Sequence, residues 1–233
     1  MIPARAGSKR IPNKNIQLVA NKPLIAHVIE NARASGVFRN VFVSTDSQSI
    51  AKIAIEWGAT VPNLRSENLS NDFTPTRPVI ADFILKLPEL QGENVVICCI
   101  YPFAILVSPS LLKAAARHLE TLELENKYLV SVRLYPHPIQ RAFTKDPNGA
   151  LSPTYPQYLE TRTQDLPQTF HDAGQFYFAF SKTWTIDSPV LTNAFGYELN
   201  KYSSVDIDDF EDLEELRKLY AIKQSGLLNG ILD

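Results

Sequence analysis

Apolar residues along this chain fall into two alternating rhythms, which together predict repeated strand and helix units. Leu24, Ile25, Val28, Ile29 and Ala32 recur at helical spacing between Pro23, suited to a first turn, and Gly36, suited to a stop. Val41-Phe42-Val43-Ser44-Thr45 is short and apolar, then turns polar, the form of a parallel strand that brings Ser44, Thr45 and Asp46 to a carboxyl edge. Asp46 there serves either a site or the cap of the next helix. Ile50, Ile53, Ala54 and Trp57 make a second helical stripe that Gly58 ends, before a brief strand at Thr60-Val61. A third helix is predicted from about Arg77 to Leu90, with Val79, Ile80, Phe83, Ile84 and Leu87 inward. The unbroken apolar run Val95 to Ile100 is expected at the centre of the sheet. Ser108-Pro109 then supplies a cap and a first-turn proline for a helix facing inward through Leu111, Leu112, Ala115 and Leu119.

Tyr128 to Leu134 alternates as a strand does. From Tyr135 to Phe170 the rhythm lapses and six prolines intervene, so this segment is an excursion from the sheet within a single domain spanning 1–233. The final helix turns Leu213, Leu216, Leu219 and Tyr220 inward, and Asp209, Glu211 and Asp212 suit its first turn. The succession predicts an α/β fold with a doubly wound, Rossmann-like, mostly parallel sheet.

Composition narrows the function classes. With 45% hydrophobic and 21% charged residues over 233, the chain has ordinary globular usage. A net charge of -2 argues against a general nucleic-acid or anionic-membrane surface, and no apolar run approaches a membrane span. The N-terminus lacks a signal peptide's apolar core. The only cysteines, Cys98 and Cys99, are adjacent on a strand and point to opposite faces, which disfavours a mutual disulfide or a shared metal. Buried thiols in a reducing cytoplasm are expected.

Charge is concentrated at the start. Arg5, Lys9, Arg10 and Lys14 stand within ten positions around Ala6, Gly7 and Ser8, small residues whose backbone N–H groups can approach phosphate oxygens. The bland alternative is a solvated basic arm. Only Met1 and Ile2 precede Pro3, whereas a phosphate loop normally follows a strand of about five residues, so that strand is expected to be very short or truncated. Near the other end, Asp206 and Asp208 lie two apart where a strand is expected to finish, projecting both carboxylates to one side. Such a pair repels itself unless a cation intervenes, and Mg²⁺ takes one or two carboxylates plus phosphate oxygens; capping is the other reading. Polar side chains with bidentate hydrogen-bonding capacity gather at Gln140, Arg141, Arg162 and Gln164, and in His171 to Gln175. His171 is alternatively a satisfied histidine at the mouth of a strand. Phe176, Tyr177 and Phe178 read chiefly as core.

The run Pro-Ala-Arg-x-Gly-Ser-Lys-Arg-Ile-Pro-x-Lys-Asn resembles the opening signature of the CMP-sialic acid synthetase superfamily of cytidylyltransferases. Residues 62–76 resemble the family's Pro-x-x-Arg-Pro/Ser-x-x-Leu-Ala/Ser-x-Asp segment. Glu160 to Leu166 and His171 to Tyr177 resemble its pseudaminic acid branch. The resemblance implies a nucleotide-diphospho-sugar transferase type of fold and Mg²⁺-dependent transfer of CMP from CTP to an acidic nine-carbon sugar. By the same resemblance Arg5, Ser8 and Lys9, with Ala6 and Gly7 in the loop, hold phosphates. Lys14 stabilises the reacting phosphate or the leaving pyrophosphate, Asn15 reads cytosine, and Arg65, Thr76 and Asp46 face the ligands. Asp206 and Asp208 hold the metal. Tyr101, Gln140, Arg141, Arg162, Gln164, His171, Asp172 and Gln175 serve the sugar, and 135–170 forms a homodimer that covers it. Phe103 and Ile105 depart from the family's hydroxyl and proline, and Ala6 from its glycine. The alternatives are transfer to legionaminic or N-acetylneuraminic acid, or a nucleotide-binding relative that no longer turns over.

Overall fold

The structure is a computed structural model and describes residues 1–123 and 125–227. Strand β1 (Ile2–Pro3) pairs in parallel with β4 (Val43–Ser44), and Phe42 bridges in parallel to Thr60 beyond it. On the other side of β1, the Met1 amino group donates to the Cys98 carbonyl at 2.6 Å, and the Met1 carbonyl accepts from Ile100 N–H at 3.0 Å. Flanking one residue in this way is the pattern of parallel neighbours, and it joins β1 to β5 (Val96–Ile100). Then β5 runs antiparallel to β9 (Phe170–Phe180), β9 antiparallel to β6 (Tyr128–Leu134), and β6 parallel to β10 (Ala194–Glu198). The sheet therefore runs Thr60, β4, β1, β5, β9, β6, β10. It is mostly parallel, β5 sits in the middle as the apolar run predicts, and β9 alone is reversed among these described strands.

Helices cover both faces. On one side α1 (Leu24–Ala34), α2 (Gln48–Glu56), α4 (Pro109–Leu119) and α6 (Phe210–Gln224) bury residues such as Leu24, Ile50, Leu112 and Leu216 against Cys98 and Ile100. On the other, α3 (Thr76–Leu85) and α5 (Ser181–Thr185) bury Ile80, Phe83, Ile84 and Trp184 against Ile97 and Cys99. Successive residues of β5 thus feed opposite layers, the alternation a strand imposes. Both thiols are free and buried.

Local signals set the boundaries. Ser47 and Ser108 cap α2 and α4, accepting from Ile50 N–H at 3.4 Å and Leu111 N–H at 3.1 Å. Gly36 and Gly58 end their helices with φ of 71° and 89°. The third helix stops at Leu85, five residues short of the expected end, because Pro88 holds Leu87 extended; a separate 3-10 turn covers Pro88–Leu90. Residues 206–208 are not strand, correcting that expectation: they lead unpaired into α6. A small hairpin of β2 (Leu18–Val19) and β3 (Lys22–Pro23) has no counterpart in the expected pattern. The excursion contains a hairpin of β7 (Phe143–Lys145) and β8 (Leu151–Pro153) with short 3-10 turns, and closes where Tyr135 N–H meets the Thr169 carbonyl at 3.0 Å.

Candidate active site

The basic loop leaves β1 at the sheet's carboxyl edge and is braced from within. Asp46, at the end of β4, accepts from the Ala6 N–H at 2.8 Å, and buried Asn15 donates from Nδ2 to the Arg5 carbonyl at 2.9 Å. Asp46 is a brace for the loop, while Ser47 caps α2. The Ala6 N–H is engaged by Asp46, so the cradle for an anion falls to the side-chain cations and the remaining backbone donors. Ala6 does not have positive φ, and its methyl group is accommodated without strain. Asn13, at φ 54°, opens the 3-10 turn Lys14–Ile16 and turns Lys14 inward.

Lys14 links the two ends of the chain. Its ammonium donates to the Ile207 carbonyl at 2.7 Å and lies 5.1 Å from the centre of the Phe103 ring. Burial lowers its pKa below the ordinary lysine value, and Asp206 and Asp208 partly offset that. Phe103, which replaces a family hydroxyl, therefore packs against the cation and stacks on Tyr101. Arg65 donates from Nε to Ser44 Oγ at 3.1 Å and from Nη2 to the Ser44 carbonyl, fixing the 62–75 segment to β4. The Thr76 and Tyr101 hydroxyls are 2.6 Å apart.

These parts enclose a cavity of about 570 Å³. Its wall combines the basic loop (Arg5, Ser8, Lys9, Arg10, Lys14, Asn15) with Arg65, the Asp72–Thr74 stretch, Thr76, the Tyr101–Phe103 turn and Asp208. Segments from the start, middle and end of the chain, predicted separately, meet in one place. Asp72, Phe73 and Thr74 were not singled out by the sequence reasoning. Their signal was the acid that ends the segment following Arg65.

Of the acidic pair, Asp208 lines the cavity and Asp206 does not. Asp208 pairs with Arg10 at 2.5 Å, and the backbone N–H groups of Asp208 and Asp209 donate to Asp212. Asp209 caps α6 by accepting from Glu211 and Asp212 N–H, so capping falls to Asp209 and not to Asp206 or Asp208. Burial, then the negative charge of Asp208, raise the Asp206 pKa, and Lys14 opposes them. Two mutually repelling hard-oxygen donors beside a basic cavity fit Mg²⁺ that takes its other ligands from phosphate and water. No group of three or more metal-ligating side chains occurs among the described residues.

The sugar residues separate into two sets. Asp172 accepts from the Tyr177 hydroxyl at 2.5 Å, and with Tyr101, Thr76 and Arg77 it lines a second cavity of about 400 Å³ beside the first. Tyr101 and Thr76 belong to both walls. Gln175, by contrast, is fully buried and spends its Nε2 on the Ala173 and Val205 carbonyls, so it ties β9 to the 203–208 stretch. Arg141 holds the Leu159 and Thr161 carbonyls, and Arg162 pairs with Asp165 at 2.7 Å. His171 bonds through Nδ1 to the Asp172 carbonyl at 2.9 Å. Gln140 is buried and Gln164 exposed, and none of these six, Gln175 included, lines either cavity of this single chain.

A cytidylyltransferase family model matches residues 1–225. The chain belongs to the cytidylyltransferase family. This cytidylyltransferase is 36% identical over 230 residues, 97% of each chain, to the pseudaminic acid cytidylyltransferase of Campylobacter jejuni subsp. jejuni. It is 33% identical over 239 residues, 98% of each chain, to the CMP-N,N'-diacetyllegionaminic acid synthase of Legionella pneumophila subsp. pneumophila. Among solved structures, CMP:2-keto-3-deoxy-manno-octonic acid synthetase complexed with CTP superimposes with a TM-score of 0.67 at 15% identity, covering 95% of this cytidylyltransferase and 97% of that chain. That likeness confirms the α/β fold expected from the strand and helix pattern.

Proposed function

We propose that this cytidylyltransferase transfers CMP from CTP to the anomeric hydroxyl of pseudaminic acid, releasing pyrophosphate, with Mg²⁺ as cofactor. The observation that carries the reading is the cavity where the basic loop, the Tyr101 turn and Asp208 converge; the names of the two relatives support the acceptor class. The sugar hydroxyl attacks the α-phosphorus in line, and charge gathers on phosphate oxygens, so catalysis is chiefly positioning and electrostatic stabilisation. Arg5, Ser8 and Lys9 hold the outer phosphates. Lys14, fixed by Ile207 and Phe103, faces the charge that develops at the α-phosphate and on the leaving pyrophosphate. Asn15 reads cytosine. Asp206 and Asp208 would hold Mg²⁺, which supplies positive charge to the phosphates.

The acceptor site then lies toward the second cavity, at Tyr101 and Asp172. Exposed Phe143, Leu151 and Leu159 on the excursion support a homodimer in which 135–170 covers that side. No described helix is long and apolar enough to cross a membrane. The buried free thiols suit the cytoplasm.

Pyrophosphate release measured with CTP, Mg²⁺ and a panel of pseudaminic, legionaminic and N-acetylneuraminic acids tests the reading. Pseudaminic acid is expected to give the highest kcat/KM. A higher value with legionaminic acid would transfer the assignment to that sugar, the reading favoured by the second relative, and no release with any sugar would refute transfer.

A further inference from the structure

Asp72 lies within the charge of the basic loop. Its Oδ1 accepts from Arg5 Nη1 at 2.7 Å, and its Oδ2 is 2.6 Å from Lys9 Nζ. One carboxylate therefore engages two of the cations assigned above to phosphate. The segment behind it is shaped to present it: Asn71 Oδ1 accepts from the Phe73 and Thr74 N–H groups at 2.9 and 3.0 Å, and Arg65 N–H anchors the segment's start on the Thr45 carbonyl at 2.7 Å. The next residue, Phe73, is 90% exposed and lines the same cavity. Hydrogen bonds from Lys9, then Arg5, hold the Asp72 carboxyl below the usual carboxylate range.

We propose that Asp72 is an internal stand-in for phosphate and a specificity-determining residue. Between turnovers it occupies Arg5 and Lys9; the polyphosphate end of the nucleotide displaces it, and its return helps pyrophosphate leave. The exchange is favourable because one carboxylate charge gives way to several phosphate charges on the same cations. It is reversible because the pairs are open to water, with Lys9 81% exposed, and exposed pairs are individually weak. A ligand with a single phosphate lacks the charge to displace it. Nucleotide selection by phosphate count would thus be built into the basic loop and Asp72 themselves. The inference rests on the assignment of Arg5 and Lys9 to phosphate.

The experiment is calorimetric titration of the full chain with inorganic pyrophosphate in EDTA, which removes any metal role for Asp72. Asp72→Asn and Asp72→Ser are expected to bind pyrophosphate about three- to tenfold more tightly than wild type, and Asp72→Glu like wild type. Added NaCl should narrow the difference. In turnover, pyrophosphate should inhibit the Asn variant at correspondingly lower concentration. A purely structural role would weaken binding, so unchanged or weaker binding in both neutral variants overturns the proposal. The Arg5→Ala/Lys9→Ala double variant separates the two levels. Lost pyrophosphate binding there upholds the phosphate assignment, and wild-type binding there refutes that assignment itself.

Discussion

Replacing Lys14 is the sharpest test of the catalytic geometry. Its ammonium is held between the Ile207 carbonyl and the Phe103 ring, in the field of Asp206 and Asp208. A unit charge about 4 Å from a phosphate oxygen, at an effective dielectric near 20, is worth about 4 kcal/mol. Charge that grows in the transition state captures most of that, so Lys14→Ala should lower kcat about 10²- to 10³-fold. The KM for CTP should change far less. The pH profile adds a second reading. Because burial lowers the Lys14 pKa, the reactive ammonium is lost as pH rises through that lowered value, and the alkaline fall in kcat should begin below an ordinary lysine's range. Lys14→Arg, whose charge does not titrate there, should retain partial activity and push the fall to higher pH. The assay is initial-rate pyrophosphate release across pH, with circular dichroism to confirm folding. Near-normal kcat in the alanine variant, or an alkaline fall unmoved in the arginine variant, would remove Lys14 from the mechanism.

Asp206→Asn and Asp208→Asn should each raise the Mg²⁺ concentration needed for half-maximal activity at least tenfold, since a charged ligand becomes a neutral one of equal size; a wild-type titration in both would exclude a metal role. Asp46→Ala should raise the KM for CTP about tenfold by freeing the Ala6 N–H, with steady-state kinetics as the check. The proposed homodimer predicts that the wild-type chain sediments as a dimer and that Phe143→Glu combined with Leu151→Glu, at positions 54% and 62% exposed, sediments as a monomer; a wild-type monomer would refute the homodimer, and a dimer that persists in the variant would place its interface elsewhere. Gly58→Ala should destabilise by about 1 kcal/mol in urea unfolding, because φ is 89° there and Arg33 must also move aside.

How much of this was legible in the sequence depended on whether the signal was local. Stripes such as Leu24 to Ala32, and caps such as Ser108 ahead of Pro109, carry their structure within a few residues, and those helices stand where the pattern put them, whereas the third ends at Leu85 and not at Leu90. The β2–β3 hairpin escaped notice because its turn uses Ala20 and Asn21, both at positive φ, in place of a glycine-bearing pair. Site residues divide in the same way. Cations and carboxylates announce themselves by charge, and Arg5, Lys9, Lys14 and Asp208 do meet at one cavity. Gln175 and Arg141 have the chemistry of ligand contacts, but their donors go to carbonyls brought near by the fold, which spacing alone does not reveal. Asp72 was passed over for a related reason: its partners lie more than sixty residues away.

Cys98 and Cys99 are neighbours in the chain but report on different halves of the molecule, one beneath the α1, α4 and α6 layer and the other beneath α3 and α5. Burial raises both thiol pKa values, that of Cys99 to about 12, so neither is nucleophilic while its layer is closed. Each is therefore expected to react with a disulfide reagent chiefly when the elements that cover it lift away. With the other cysteine replaced by alanine, the labelling rate of each becomes a separate clock for the opening of one face of the sheet, set only one peptide bond from its counterpart.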